Sequence, residues 1–427
     1  EGQDSVKICE DTNGDGKADK FTVFADKLNL PTGIVFARKG IIVAAPPQFI
    51  YLEDTNGDDK ADKREVIIDC WGIRDTHAQA SSLHYGFDNW IYGCVGYSGI
   101  EGYVGGKQHQ FAMGTYRFKA DGSAIEFLHQ FTNNAWGHST NDAGDQFGGT
   151  ANGAPIFFGG IPATAYAEGR GFTAKKINEV DTCHTITPNF RQVDVFGGYT
   201  AAAGSNFIYS DALPKRFQGM AMVCEPTMKV VSLMDVQPDG AGYKALDAFN
   251  IYASSDEWNS PVHAEVGPDG AVWVADFENF IIQHNPTPSK ERGGFVATTG
   301  VGGAHENELR DHSRGRIYRI VGRGLQSRGY ETQWSKLETQ RTIIQKHQGA
   351  PDVVDSLRNS FKGGLVSGMG YIHELWTLQG ICQLDAKTHQ AALISKDAKL
   401  RRNAIRALGS DKSAQDLACQ SSRSAVA

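Results

Sequence analysis

The stretch Asp11-Thr12-Asn13-Gly14-Asp15-Gly16-Lys17-Ala18-Asp19 occurs twice in the chain. Its second copy, Asp54-Thr55-Asn56-Gly57-Asp58-Asp59-Lys60-Ala61-Asp62, begins 43 residues after the first. A short apolar run follows each copy. A repeat of this length is typical of folds in which one small unit is stacked several times, such as β-propellers. The repeat therefore predicts the architecture, and its oxygen-rich side chains predict a cation site.

Short strand-like runs separated by turn residues fill the chain up to about residue 330. Residues 41–45 and 49–52 are strand-length, apolar and bounded by Gly, Pro or Asp. Asp88-Asn89 and Pro268-Asp269-Gly270 each precede an aromatic strand, which indicates hairpin turns. Residues 315–320 look like a closing strand. At roughly 40–50 residues per blade, this region predicts an all-β fold, a six-bladed β-propeller.

Two polar segments, residues 133–160 and 286–311, interrupt the strand pattern and are expected to be long loops. Loops on a rigid scaffold often carry binding residues. The first segment holds a polar cluster with an aromatic side chain that would suit a sugar: Asn134, Trp136, His138, Asp142 and Asp145. The alternative is a loop whose polar groups bond only to one another.

The character of the chain changes after about residue 330. Apolar residues recur at helical spacing in residues 337–347, 352–361, 371–381 and 400–408, and Pro351 suits the first turn of a helix. We therefore expect two domains, a propeller over residues 1–330 and a short C-terminal α-helical segment over 331–427. So few helices bury their faces only if they dock on the propeller or continue in a longer chain.

Composition excludes several classes of protein. The 427 residues carry a net charge of −7 without a basic stripe, which argues against a nucleic-acid binder. No apolar run is long enough to span a membrane. The seven cysteines are scattered and include no CxxC, so a full disulfide framework is not expected. A chain that starts at Glu1 is either a mature form or a fragment.

Several stretches together carry a family resemblance: the two acidic loops, Asp75-Thr76-His77 before residues 86–92, residues 211–226, and residues 267–286. The chain resembles the "membrane-bound dehydrogenase domain" proteins of planctomycetes and verrucomicrobia, which are distant relatives of the soluble quinoprotein glucose and sorbosone dehydrogenases. Residues 373–380 resemble the HEAT-type repeats that follow the propeller in that family. Many of its members end in a c-type cytochrome with a CxxCH motif, which this chain lacks.

The resemblance implies an enzyme that holds pyrroloquinoline quinone (PQQ) and calcium and oxidises a sugar or another alcohol. His77 would be the catalytic base, because a histidine just before an inner hairpin takes the hydroxyl proton in those enzymes, and Asp75 would orient its ring. His84 is a rival for the role. The alternative for His77 is a turn histidine that bonds to the backbone.

Three arginines are candidates to bind a cofactor that carries carboxylates: Arg191, Arg316 and Arg319. Arg316 and Arg319 are three residues apart, so in a strand at most one of them faces a central site. Ordinary ion pairs are the alternative for each.

The acidic loops predict structural Ca²⁺, because their oxygen-bearing residues follow the spacing of EF-hand-type loops. The expected ligands are Asp11, Asn13, Asp15, the Lys17 carbonyl and Asp19 in the first loop, and Asp54, Asn56, Asp58, the Lys60 carbonyl, Asp62 and Glu65 in the second. The alternative is a solvated acidic turn.

Two functional hypotheses follow. The first is a periplasmic or secreted PQQ-type dehydrogenase that passes electrons to a separate acceptor, such as a c-type cytochrome. The second is a non-catalytic, calcium-stabilised propeller that binds a glycan or a protein partner.

Overall fold

Small antiparallel sheets arranged side by side make up most of the chain. The computed structural model describes residues 2–166, 171–283, 307, 309–311, 313–322, 332–347, 350–363 and 368–408. The chain begins with the amino-terminal hairpin, which consists of β1 (Asp4–Glu10) and β2 (Lys20–Leu28) and carries the first acidic loop. Blade 1 pairs its strands in chain order: β3 (Gly33–Ala37), β4 (Gly40–Ala45), β5 (Gln48–Glu53) and β6 (Lys63–Ile68).

Blades 2 to 5 repeat this plan. Blade 2 is formed by β7, β8, β11 and β12, and a separate hairpin of β9 and β10 is inserted after β8. These strands are β7 (Ala80–Tyr85), β8 (Ile91–Val95), β9 (Ile100–Val104), β10 (Lys107–Phe111), β11 (Gly114–Phe118) and β12 (Ile125–Gln130).

Among the residues that the structure describes, blades 3 and 4 have four strands each, and blade 5 has three. Blade 3 contains β13 (Ala135–Thr140), β14 (Gln146–Thr150), β15 (Ala154–Phe158) and β16 (Lys175–Lys176). Blade 4 contains β17 (Ala203–Phe207), β18 (Met220–Glu225), β19 (Val230–Asp239) and β20 (Gly242–Ala253). Blade 5 contains β21 (Pro261–Val266), β22 (Val272–Asp276) and β23 (Arg316–Ile320).

The described residues thus form a propeller arrangement of five blades, so the predicted number of six is wrong. The inner strands β3, β7, β13, β17 and β21 neighbour one another in that order. The predicted number of blades was too high because it assumed blades of equal length. In the described residues, the acidic amino-terminal hairpin has two strands, and residues 177–202 connect blades 3 and 4. The prediction of a long loop over residues 133–160 is also wrong, because those residues form β13, β14 and β15.

Apolar runs become the central strands because they are buried on both faces. In β4, Ile42 and Ala44 face blade 2, whereas Ile41 and Val43 face the amino-terminal hairpin. The predicted turns also form. Asn89 and Gly270 have positive φ between the first two strands of blades 2 and 5, a conformation that Asn and Gly tolerate best.

In the described part of the chain, five α-helices follow the propeller: α1 (Gln333–Thr342), α2 (Pro351–Ser360), α3 (Met369–Gly380), α4 (Ala386–Leu393) and α5 (Ala398–Ala407). The four predicted helical stretches are confirmed, with Pro351 at the start of α2, and α4 was missed. The helices pack around Trp376, Leu375 and Ile372. Their assignment as HEAT-type repeats stays a prediction. None of the helices in the described ranges has the length and apolar character that crossing a bilayer requires.

The propeller has two unlike faces. The connections between blades, including residues 69–79 and 131–134, lie on the face that we call upper. The turns between the first and second strands of each blade lie on the lower face. The helices cover the lower face: Arg341 bonds the Arg38 carbonyl, Gln340 bonds the Phe87 carbonyl, and Gln333 bonds the Tyr209 carbonyl.

Candidate functional site

His77 lies on the upper face, in a short 3-10 turn that connects blade 1 to blade 2. Asp75 caps this turn by accepting a hydrogen bond from the His77 backbone N–H at 2.9 Å. Ser98 fixes Asp75 in turn, because its hydroxyl donates to the Asp75 carbonyl. The His77 ring lies near the hydroxyl of Thr76 and the carboxylate of Asp75, at 3.3 and 3.6 Å, and it is partly exposed. The ring is therefore partly exposed at the surface, and the backbone that carries it is fixed by hydrogen bonds.

Two residues of blade 3 meet the backbone of His77. The Asn134 side-chain amide donates to the His77 carbonyl at 2.6 Å, and the Trp136 indole N–H donates to the same oxygen. The structure thus brings together three residues that the sequence singled out separately. A basic ring, an amide and an aromatic surface are the groups that a polyol substrate needs for proton transfer, hydrogen bonding and stacking.

The other members of the predicted sugar-binding cluster lie elsewhere. His138 is buried below the upper face, where its Nδ1 lies 2.9 Å from the His84 Nε2 and its Nε2 lies 2.6 Å from the Gln146 amide oxygen. Burial lowers the pKa of His84 to about 4 and lowers that of His138 well below its usual value. His84 is therefore stabilised as a neutral, structural histidine, which weakens it as a rival to His77.

Asp142 and Asp145 lie on the lower face, because β13 carries the chain across the blade. Asp142 forms an ion pair with Lys399 of α5. The carboxylate of Asp145 forms ion pairs with the guanidinium groups of Arg406 at 2.5 Å and Arg402 at 3.1 Å, and it is only 2% exposed. Both carboxylates hold the helices to the propeller, and neither is free to bind a sugar.

The three predicted cofactor arginines are not grouped. Arg319 pairs with Asp269 in the turn between β21 and β22, which lies on the lower face. Arg316 pairs with Glu278 and Asp256 and bonds the hydroxyl of Tyr318. Its side chain therefore lies on the other side of strand β23 from that of Arg319. Arg191 lies in the upper-face connection before blade 4, and burial lowers its pKa.

Arg191 lies near a second arginine, Arg310, which the sequence prediction missed. The charge of Arg191 contributes, after burial, to the lowered pKa of Arg310. Gln283 ties the two segments together. Its side-chain oxygen accepts from the Val193 N–H at 2.8 Å, and its backbone carbonyl accepts from the Arg310 guanidinium at 2.6 Å. The Nε of Arg310 is buried without a hydrogen-bond partner.

Lys229 is a further buried cation on the upper face, but it lies among carboxylates, of which Asp276 and Glu225 contribute most. Its side chain is fully buried, and its ammonium donates to the Ser260 hydroxyl and the Asn279 carbonyl at 3.3 and 3.2 Å. Burial lowers its pKa to about 8. The Asn279 amide donates to the carbonyl of Asp311, the residue after Arg310. Arg191 and Arg310 are hereafter the cationic cluster. A charged residue between two apolar runs was the signal that could have revealed Lys229.

Hydrogen bonds connect the cationic cluster to the surroundings of His77. The Asn134 carbonyl accepts from the Ala151 N–H, and the next residue, Asn152, donates to the Thr200 carbonyl. The Thr200 hydroxyl accepts from the Gln283 amide at 3.3 Å. The two groups therefore share one face and one polar network, although they belong to different blades.

The acidic loops are closed by their own backbone. The Asp11 carboxylate accepts from Gly14 N–H and Gly16 N–H, and Asp54 accepts from the equivalent positions of the second loop. Glu65 pairs with Arg38. In the described part of the chain, no three His, Cys, Asp or Glu side chains converge as metal ligands. Calcium at these loops stays a prediction.

Comparisons with solved structures found distant likenesses. A likeness of probability 1.00 connects the chain to an oxidoreductase described as a glucose dehydrogenase from Thermus thermophilus. It has 12% identity and a TM-score of 0.42, and covers 71% of this chain and 88% of that chain. The PQQ-bound aldose sugar dehydrogenase of Streptomyces coelicolor gives 11% identity, a TM-score of 0.40, and coverages of 72% and 86%.

A luciferin-regenerating enzyme is similar to the same degree, with 10% identity, a TM-score of 0.42, and coverages of 73% and 83%. Likenesses this distant transfer no activity. A search of curated proteins found no match. The chain belongs to the family described as "Domain of unknown function (DUF7133)", which matches residues 1–324.

Proposed function

We propose that this DUF7133 domain is a dehydrogenase of the quinoprotein type, which oxidises a sugar or another alcohol on the upper face of the propeller. The observation that carries the proposal is the pairing on one face of a surface histidine, held by its backbone, with a cationic cluster. Histidine is the side chain that most often serves as a general base in enzymes. The cationic cluster has the charge that a carboxylate-bearing cofactor requires.

The residues present fit PQQ better than the predicted arginine set did. Arg316 and Arg319 are neutralised by acidic partners. Arg310 instead keeps a buried Nε without an acceptor beside a second guanidinium, and an anion would offset both the lost hydrogen bond and the repulsion. Arg191 and Arg310 would therefore hold the carboxylates of the cofactor. When bound, PQQ supplies an acceptor for two electrons.

The residues around His77 would act on the substrate alcohol. The imidazole would accept the hydroxyl proton as the carbon is oxidised. Asp75 and Ser98 would hold the turn in place, since they fix its backbone by hydrogen bonds. The exposed part of Trp136 offers a surface for the apolar face of a sugar ring. The electrons would then pass to a separate acceptor, for which a c-type cytochrome is the expected partner.

Reconstitution tests the proposal. The purified protein is titrated with PQQ, with and without Ca²⁺, and binding is followed by the absorbance of the quinone. Oxidation of a panel of aldoses and simple alcohols is then measured with an artificial electron acceptor. Saturable PQQ binding together with dye reduction supports the dehydrogenase. Failure to bind PQQ under both conditions would contradict the dehydrogenase proposal and favour the non-catalytic scaffold. Binding to a glycan array is the direct measurement for that alternative.

A further inference from the structure

Tyr97 is an exposed aromatic residue close to the turn that carries His77. It lies in the short connection between β8 and β9, and it is 45% exposed. Its hydroxyl donates to the side-chain oxygen of Asn133, in the connection between blades 2 and 3. The ring is thus held at both ends, by its backbone and by its hydroxyl, while much of its surface stays open. An aromatic ring held in this way offers contact area to a ligand at a low cost in conformational entropy.

The backbone beside Tyr97 holds one side of the His77 turn. The N–H of the next residue, Ser98, donates to the Ala78 carbonyl at 3.1 Å. The Ser98 hydroxyl donates to the Asp75 carbonyl at 2.8 Å. These two carbonyls belong to residues on either side of His77, so the side chain of Tyr97 starts directly next to the turn.

The tip of the Tyr97 ring meets the other side of the same turn. The Asn133 oxygen that accepts from the Tyr97 hydroxyl also accepts from the Asn134 N–H at 2.8 Å. The Asn134 amide in turn donates to the His77 carbonyl at 2.6 Å. Gly96 lets the two sides approach, because a side chain at that position would collide with the Asn134 side-chain oxygen. The Tyr97 ring therefore spans from one side of the turn to the other and lies beside His77.

Trp136 is the second aromatic side chain at this turn, and it comes from blade 3. Its indole N–H donates to the His77 carbonyl. Two aromatic rings from different blades are thus attached to the turn that carries the proposed base. An aromatic ring packs against the apolar C–H face of a sugar ring, and amides bond the sugar hydroxyls. A small open-chain alcohol has no face of that size and would gain little from a second aromatic ring.

We propose that Tyr97 is a specificity-determining residue of the His77 site, and that the substrate class is a pyranose sugar rather than a small open-chain alcohol. The inference rests on the proposed function and narrows it. The ring of Tyr97 packs against the C–H face of the sugar whose hydroxyl meets His77. Asn133 is a positioning residue, because it holds the Tyr97 hydroxyl. All of these residues lie within residues 2–166, which the structure describes without a gap.

Sugar binding tests the inference apart from the reaction. The purified full chain, with and without PQQ, is titrated with the methyl pyranosides of glucose, galactose and xylose, and ligand-observed NMR gives each Kd. Tyr97→Ala should raise the Kd of the tightest pyranoside about tenfold, because a stacked ring is lost. Tyr103→Ala, at a 70% exposed tyrosine on β9, is the matched control and should leave the Kd unchanged. Equal Kd values in the Tyr97 variant and the unmodified chain, or no pyranoside binding under either condition, would overturn the inference.

Kinetics of the reconstituted enzyme separate this inference from the proposed function. Tyr97→Ala should raise the KM for the pyranose and leave both kcat and the KM for 1-propanol nearly unchanged. Pyranose oxidation with the same KM in both chains would overturn the sugar subsite and leave the dehydrogenase standing. Tyr97-dependent pyranoside binding without any PQQ binding would do the reverse.

A double-variant comparison tests the positioning role of Asn133. Tyr97→Phe keeps the ring but loses the bond to Asn133, so it should raise the pyranoside Kd about threefold. Asn133→Ala should have the same effect, and combining the two changes should add nothing further, because both remove one interaction. Fully additive effects would show that Asn133 does not act through Tyr97.

Discussion

The lower and upper faces of the propeller satisfy their polar groups in different ways. On the lower face, Asp145 is held by two arginines of α5, and Gln340 bonds Phe87, Asn89 and His373 at once. On the upper face, Arg310 retains a buried donor without an acceptor. The lower face also has a buried atom without a partner, the Nε2 of His373, but burial keeps that ring neutral, whereas Arg310 is a cation beside a second guanidinium. The charge of the unsatisfied group therefore makes Arg310 the candidate for binding an anion.

The largest expected effect lies on the upper face. Replacing His77 with Gln should lower the turnover of the reconstituted enzyme by about a hundredfold or more, because a positioned general base typically contributes that much. PQQ affinity and Tm should change little. His109→Gln, on the separate β9–β10 hairpin, is the matched control. Unchanged turnover in the His77 variant would remove His77 from the mechanism and leave the histidine as a turn residue.

The closed interior should make the stability of the fold depend on pH. Burial lowers the pKa of His84 and His129 to about 4 and that of His373 to about 3. Unfolded histidines bind protons below pH 6.5, whereas these folded ones do not, so stability should rise with pH between about 4 and 6.5. Burial raises the pKa of Glu225 to about 7, so the contribution of this one group to stability falls as the pH rises over the same range.

For His129, which is only 3% exposed, the shift corresponds to about 3 kcal/mol in the free energy of unfolding. Chemical denaturation at pH 4.5, 5.5 and 6.5 measures the sum of these contributions. His129→Asn should make the pH dependence shallower. A free energy of unfolding that falls as the pH rises over this range would contradict the assignment of neutral buried histidines.

Removing a lower-face carboxylate should cost stability without altering the upper face. Asp145→Asn leaves Arg402 and Arg406 without their acceptor, and we expect a loss of about 2 kcal/mol, below the usual cost for a fully buried pair because both arginines are partly exposed. PQQ affinity should stay the same. Asp142→Asn, at a more exposed ion pair, should cost less. A changed PQQ affinity in the Asp145 variant would show that the two faces are coupled.

The arginines allow the same comparison between Arg310 and a member of the predicted cofactor set, Arg319. Arg310→Gln should weaken PQQ binding about tenfold, equivalent to about 1.4 kcal/mol, because a charged hydrogen bond to a carboxylate is lost. Arg319→Gln, on the lower face, should leave the affinity unchanged. The measurement is an absorbance titration of each variant. Equal losses in both variants would mean that the effect is one of net charge rather than of a site.

Much of the fold could be read from the sequence, because turns and apolar runs are local signals. The hairpin turn at Asp88-Asn89 and the helix that begins at Pro351 are where the sequence places them. The number of blades could not be read, because it depends on how many strands each segment contributes. The polar composition of residues 133–160 concealed strands, since Gly148 and Gly149 lie in β14, where there is little room for a side chain.

The candidate site was only half accessible to sequence reasoning. His77 stands in a recognisable motif, but the partners of its carbonyl lie 57 and 59 residues away along the chain. Arg310 carries no local signal, because its significance depends on the distant segment that contains Arg191. Arg316 and Arg319 were selected from the sequence as cofactor ligands, yet acidic partners from other segments neutralise them. Long-range pairing decides which charges remain available.

The smallest expected effect concerns the acidic loops, which the sequence favours as calcium sites and whose carboxylates the structure engages with backbone N–H groups. A loop already closed by hydrogen bonds gains little from a cation, so we expect weak binding in the millimolar range. At a Ca²⁺ concentration equal to Kd, the gain in stability is about 0.4 kcal/mol per site. Thermal denaturation with Ca²⁺ or with Mg²⁺ measures it.

Asp54→Asn should abolish the larger part of this gain, because the second loop also has Glu65 available as a ligand. Glu65 must first leave Arg38, and that exchange keeps the net gain small. Arg38→Gln should therefore strengthen the response to Ca²⁺, whereas Asp11→Asn should change it least. If Ca²⁺ shifts the Tm no more than Mg²⁺ does in any variant, the loops are solvated turns, and the repeat serves only to shape the hairpins.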